Sequence, residues 1–251
     1  MKVAISQPTY LPWMGYFDLI DQVDTFVLLD NVQFEKQSWQ QRNRIKTPAG
    51  LQWLTVPVVF RGRFGQTINE VEIRDAEFRR NHLRAIELNY RRAAFFGQYW
   101  EDLNSHIASP ASGRLVDLNI GLIKWFMGVL GIQTRVLRAS DLRQTGKQTE
   151  LLANLCASLH ATEYVSPLGS AVYLLERIEV FLDQGIDVFF QHYEHPVHRQ
   201  LFPPFYSQAS ALDLLMNEGE HSLEVLRSGR RVPLLPDRVS AMAWAEARVS
   251  L

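Results

Sequence analysis

Apolar positions along this chain change period several times. "KVAIS" (Lys2 to Ser6) and "TFVLLD" (Thr25 to Asp30) are short apolar or β-branched runs flanked by turn residues, the pattern of buried strands. Between them Phe17, Ile20 and Val23 recur at helical spacing, which predicts a short helix just past Gly15. Strand, loop, helix and strand at this length make a βαβ unit with parallel strands and a right-handed crossover. "LQWLTVPVVF" alternates as a strand, with Pro57 favouring an edge or a strand end. Helices are predicted over 76–90 and 96–107. The clearest one follows, in "GRLVDLNIGLIKWFMGVLG": Leu115, Leu118, Leu122, Trp125, Phe126 and Val129 share a face, and Gly131 is a natural terminator. "TRVLRAS", "EYVSP" and "DVFFQHY" then read as strands, separated by helices over 150–160 and 173–184. The expected fold is α/β, an open and mostly parallel sheet with helices on both faces and the first strand central. Residues 1–219 form this single domain, and the tail 220–251 is expected to be loosely docked or partly disordered.

Composition narrows the class without choosing a chemistry. A chain of 251 residues can bury one sizeable core. Its 26 basic and 27 acidic side chains leave a formal net charge of -1, which excludes a wholly basic nucleic-acid coat but allows a local basic patch. The single cysteine, Cys156, excludes an internal disulfide and a thiolate metal cluster, and it lies among Leu152, Leu155 and Leu159 as a packing residue. No apolar run approaches the ~20 residues of a membrane span, and "MKVAISQP" does not read as a signal peptide. A cytoplasmic location without membrane insertion is expected, and no cofactor is indicated.

Candidate chemistry concentrates in three stretches. "SQPTYLPWMGY" stands just beyond the first strand and before a helix, where ligands bind in open parallel sheets. Pro8 and Pro12 restrict its backbone, Gly15 permits close approach, and Tyr10, Trp13 and Tyr16 offer flat surfaces with polar handles. A rigid aromatic plug would not call for Ser6, Gln7 and Thr9. The second stretch, "DNVQFEKQSWQQRNRIKT", places Lys36, Arg42, Arg44 and Lys46 among Gln33, Gln37, Gln41, Asn43 and Trp39, with Trp53 soon after. Guanidinium forks match phosphate, and amides can read sugar hydroxyls or a base edge. So compact a patch suits the diphosphate of a nucleotide-linked sugar better than the long phosphate track of DNA; a tRNA acceptor end is a further possibility. The third stretch, "QHYEHPVHRQ", carries His192, His195 and His198. His195, held extended by Pro196, is the candidate general base, with His198 and Asp30 as further catalytic candidates. Its spacing matches no zinc signature. His82, His106 and His160 are expected at helix surfaces or ends. Ser210 and Asp213 approximate a capping box for the helix in "SALDLLMNEG", with Asp213 facing a ligand as the alternative.

Two resemblances follow from these residues. The opening loop resembles that of the nucleotidylyltransferase group of Rossmann-like folds, whose histidine–x–glycine–histidine motif would fall on Trp13, Met14, Gly15 and Tyr16. Only the glycine is retained, so nucleotidyl transfer is not implied. More broadly, "ISQPTYLPWMGYFDLI", "VQFEKQSWQQRNRIKTPAGLQWLTVPV", "EYVSP", the His195–Pro196 segment and "SALDLLMNEG" together resemble the WbqC-like family over most of residues 3 to 219. Gln41, His198 and Pro167 depart from that family's pattern. The resemblance implies a role in bacterial surface glycans of the O-antigen type, with transfer of an acyl or aminoacyl group to a nucleotide-activated amino sugar. The binding residues expected are Gln7, Pro8, Tyr10, Trp13, Gly15, Tyr16, Gln33, Trp39, Arg42, Asn43, Arg44 and Lys46. An accessory protein that binds a sugar nucleotide without turnover, or a transferase using aminoacyl-tRNA, are the alternatives.

Overall fold

The computed structural model describes residues 1–241. Its strands are β1 (Lys2–Ser6), β2 (Thr25–Leu28), β3 (Arg42–Thr47), β4 (Gly50–Thr55), β5 (Arg135–Arg138), β6 (Glu163–Ser166) and β7 (Asp187–Phe190). Its helices are α1 (Met14–Asp21), α2 (Glu77–Tyr90), α3 (Phe96–Ala108), α4 (Leu115–Leu130), α5 (Ala139–Leu142), α6 (Thr149–Ser158), α7 (Ala171–Leu175), α8 (Glu179–Leu182), α9 (Ala211–Glu218) and α10 (Ser222–Ser228).

Five strands form one parallel sheet in the order β5-β2-β1-β6-β7, with β1 in the middle as expected. Consecutive side chains on a strand point to opposite faces. Ala4, Phe26, Leu28 and Val165 accordingly join the core built on α1, α2, α3, α4 and α9. Val3, Ile5, Val27, Tyr164 and Val188 join a second core under α6, α7 and α8. Both faces are covered, which is why these strands read as continuous apolar runs. α4 ends where expected, because Gly131 takes the left-handed conformation (φ 75°) at its C-terminus.

Two expectations change. The basic stretch contains a strand, β3, paired antiparallel with β4 in a ribbon apart from the main sheet. No apolar period marks β3 because its buried positions include Asn43, Lys46 and Thr47, polar residues satisfied by the surrounding backbone. The segment after 219, expected as a loose tail, is anchored as far as it is described. Leu226 is fully buried, Arg227 and Arg230 pair with Asp21, Arg230 also pairs with Asp18, and Leu234 exchanges backbone hydrogen bonds with Phe190. The remainder of that tail, 242–251, lies outside the described residues.

Candidate functional site: a cavity at the switch point of the sheet

From β1 the chain moves first to one side of the sheet (β2, β5) and later to the other (β6, β7), so the order reverses between β1 and β6. Loops leaving such neighbouring strands diverge and open a crevice at their carboxyl ends. Here a cavity of about 700 Å³ opens at that point, between the loop after Ser6 and the loop after Ser166.

The first loop is pinned along its length. The Pro8 and Leu11 carbonyls accept from the amides of Asn119 (3.1 Å) and Asn43 (2.7 Å). The Tyr10 N–H donates to the Trp39 carbonyl at 3.0 Å, and the Ala211 N–H donates to the Pro12 carbonyl at 2.8 Å. Gly15 packs against the Trp13 ring, which a Cβ there would run into. These bonds use the backbone and leave side chains to face the cavity. Gln7, Thr9, Trp13, Gly15 and Tyr16 line it from this loop, and Glu35, Ser38, Trp39, Gln40 and Asn43 line it from the expected basic stretch. Two regions far apart in sequence therefore share one hollow. Gln7 and Gln40 also bond each other at 2.8 Å, and Tyr16 donates to the Gln7 carbonyl at 3.1 Å.

The opposite wall was not foreseen. Pro167, Gly169 and Ser170 come from the loop after β6, Tyr173 from α7, Gln191 from just after β7, and Gln208 from the segment before α9. The Ser166 and Ser170 hydroxyls are in contact, and Ser170 also donates to the Pro167 carbonyl at 2.6 Å. A signal existed in "EYVSPLGS", a strand followed by proline, glycine and serine, the composition of a loop at a strand's carboxyl end.

The cavity's charge also differs from expectation. Among the described residues its lining is rich in amides and aromatic rings and contains no lysine or arginine, and Glu35 is its single carboxylate. The cations sit at the edges. The Arg44 guanidinium lies 5.5 Å from the Trp39 ring and 5.2 Å from the Trp53 ring, and reaches Gln208 at 3.5 Å. Arg42 lies 4.3 Å over Trp53, on the ribbon. A second hollow of about 360 Å³ adjoins through Glu35 and is lined by Gln33, Lys36, Phe60, Arg63 and Phe64. Lys36 lies 5.2 Å over Phe60, and Arg63 pairs with Glu72 at 3.1 Å.

Several expected site residues are instead structural. Tyr10 is fully buried, and its hydroxyl meets His82 Nδ1 at 2.8 Å. Burial pushes the Tyr10 hydroxyl far above its ordinary pKa and lowers the His82 imidazole from 6.5 to about 4, so His82 is a neutral core residue and not a surface one. Lys46 is buried, with its ammonium on the Thr47 carbonyl at 3.1 Å. Asp30 does not face the cavity: Arg138 Nε (2.8 Å) and the Ser140 N–H and hydroxyl (each 2.9 Å) occupy its carboxylate. It ties the end of β2 to the start of α5.

The histidines form a cluster of their own. His198 Nε2 lies 2.8 Å from Asp213 Oδ2, which also accepts from Gln200 at 2.9 Å, while Tyr90 donates to Oδ1 at 3.0 Å. Asp213 thus forms no capping box; Ser210 alone caps α9, accepting from the Leu212 N–H at 3.2 Å. His195 is not a lining residue. It stacks against Trp13, which is, at 6.2 Å between ring centroids. Its Nδ1–H donates to the Pro196 carbonyl at 3.1 Å, and its buried Nε2 has no partner. Burial holds this imidazole below its ordinary pKa, so Nε2 carries a free lone pair near neutral pH.

Among the described residues no helix is long and apolar enough to cross a membrane, and no group of three histidine, cysteine or acidic side chains could hold a metal ion. No solved structure matches the chain. An uncharacterized protein of Mycobacterium tuberculosis, Rv1507c, is 42% identical over 231 residues, which cover 92% of this chain and 99% of that protein. The model of the WbqC-like protein family matches residues 7–225, a span holding the pinned loop, the ribbon and the whole cavity lining beyond Ser6. By that match over most of its length, the chain belongs to the WbqC-like protein family.

Proposed function

We propose that this protein binds a nucleotide-activated amino sugar and transfers an acyl or aminoacyl group to it during assembly of a bacterial surface glycan. One observation carries the binding half: a cation-free cavity lined by amides and aromatic rings, with cations at its edges. Neutral amides and flat rings suit a sugar's hydroxyls and apolar faces, whereas a diphosphate needs guanidinium or ammonium groups. The sugar therefore occupies the cavity. Its phosphates run past Arg44 or across Glu35 toward Lys36 and Arg63, where Phe60 and Phe64 offer a face to a base. In the transfer step the sugar's amine nitrogen bonds to the acyl carbon and the donor's leaving group departs with the bonding pair. The amine's proton passes to a base, for which His195 Nε2 has the free lone pair once Trp13 moves aside.

A second reading, binding without turnover, has its own support. Neither His195 nor His198 lines the cavity, and the carboxylates of Asp30 and Asp213 are fully engaged elsewhere. Thermal shift against uridine and thymidine diphosphate sugars, free nucleotides and an acceptor-stem RNA tests the binding half. Ligands of the native state raise its melting temperature by mass action, and the sugar nucleotides are expected to do so most. Mass spectrometry of the best ligand with acyl donors then separates the two readings: a product of added acyl mass supports transfer, and stabilisation without product supports the accessory role. Stabilisation by RNA alone would overturn both.

A further inference from the structure

We propose that Gln191 presents its side-chain carbonyl to the ligand, so the cavity selects a sugar with a hydrogen-bond donor, an amine or hydroxyl, at that ring position and discriminates against a keto group. The proposal rests on the reading of the cavity as a sugar site.

Gln191 is the first residue after β7, and its backbone N–H donates to the Ser166 carbonyl at 2.8 Å. That bond continues the β6–β7 pairing and holds the residue at the carboxyl edge of the sheet. Its side-chain Nε2 lies 2.8 Å from the Gly15 carbonyl and 2.8 Å from Asp18 Oδ2. A backbone carbonyl only accepts hydrogen bonds, so the atom facing Gly15 has to be the amide nitrogen. With two acceptors on one side, both N–H bonds of the planar amide are taken. Asp18 is itself fixed: it is fully buried, and Arg230 Nε donates to its Oδ1 at 2.7 Å. The amide cannot turn over without setting its oxygen against the Gly15 carbonyl.

Oε1 is therefore directed away from Gly15. It has no protein partner among the described residues, and it is not one of the buried polar atoms left unpaired. Gln191 lines the cavity, and in this proposal the open space that Oε1 borders is that cavity. It offers lone pairs and no hydrogen. A ligand amine or hydroxyl meets it with a donor, whereas a keto oxygen sets acceptor against acceptor. A site built around a ligand hydrogen bond can discriminate strongly against an analogue unable to make it.

The test is calorimetric titration of the full chain with uridine and thymidine diphosphate hexoses that carry an amino, hydroxyl or keto group at C-3 or C-4 and are otherwise matched. In one of these positions the amino and hydroxyl members are expected to bind roughly 10–100-fold more tightly than the keto member. Gln191→Met keeps the side-chain length and removes the acceptor, and it is expected to bring that ratio close to one. Equal affinities for all three members in the native chain, at both positions, would overturn this inference and leave the sugar-site reading standing. Binding by no member would overturn the reading and this inference with it. Should the variant fold poorly, nitrogen-15 NMR of the native chain reads the orientation directly: both Nε2 protons of Gln191 are expected to exchange slowly with solvent. Exchange at the rate of a free glutamine amide would sink the proposal.

Discussion

The loop after β1 and the stretch after β7 are both aromatic, polar and proline-bearing, and both look from their sequence like ligand contacts. They differ in where their polar side chains end. In the first, backbone bonds hold the loop while Gln7 and Trp13 turn to the cavity. In the second, His198 turns inward to Asp213, which also accepts from Tyr90 and Gln200, and His195 is covered by Trp13 and Phe205. Residue type signals that polarity is needed. Whether the partner is a ligand or the protein's own interior depends on what packs above.

The largest effect should come from breaking the inner cluster. Asp213→Ala leaves the buried Tyr90 hydroxyl and His198 without their shared acceptor. Removing one member of a buried charged or polar network costs roughly 3–5 kcal/mol, which lowers the melting temperature by about 10 °C in a chain of this size. Ligand affinity of the folded fraction should be unchanged. A melting temperature within about 2 °C of native would show that the cluster is not a structural unit.

Next in size is a pH effect at the other buried histidine. His82 has its pKa lowered from 6.5 to about 4, so the folded chain takes up this proton less readily than the unfolded chain. The stability it contributes is whole above 6.5 and is lost as pH falls toward about 4, amounting to about 3 kcal/mol across that window. Melting curves of the native chain should therefore fall more steeply between those pH values than those of His82→Gln, which has no proton to gain. Parallel curves would place His82 in a more open setting.

The smallest effect sharpens the open side of the comparison. Trp39 is 46% exposed and lines the cavity, so Trp39→Ala should weaken a bound sugar nucleotide about fivefold, a stacking loss of roughly 1 kcal/mol. Its melting temperature should change by about 2 °C or less. A large loss of stability instead would make the Trp39–Trp53–Arg44 stack part of the fold's framework.

Much of the fold was legible because it depends on local period. β1, β2, α1 and α4 each announce themselves through apolar spacing, and covered parallel strands explain the unbroken apolar runs. β3 escaped because Ile45 is the one apolar residue among its buried positions, and no sequence pattern distinguishes an asparagine bonded to Leu11 from one facing solvent. The site was legible by half. Gln7, Trp13, Gly15, Tyr16, Trp39 and Asn43 line the cavity as their loops suggested; Tyr10, Lys46 and Asp30 do not.

By itself, then, the order of residues determined most element types, the central first strand and the chemical character of the two loops, since these follow from backbone preference and from what each short segment must bury. Only the tertiary structure decided that the cavity is free of cations among the described residues, that its far wall comes from 167–173, Gln191 and Gln208, and that His198 turns to Asp213 while His195 packs on Trp13. The walls of the cavity depend on contacts between residues more than a hundred positions apart, such as Gln191 with Gly15, whose partners are chosen by the closing of the sheet.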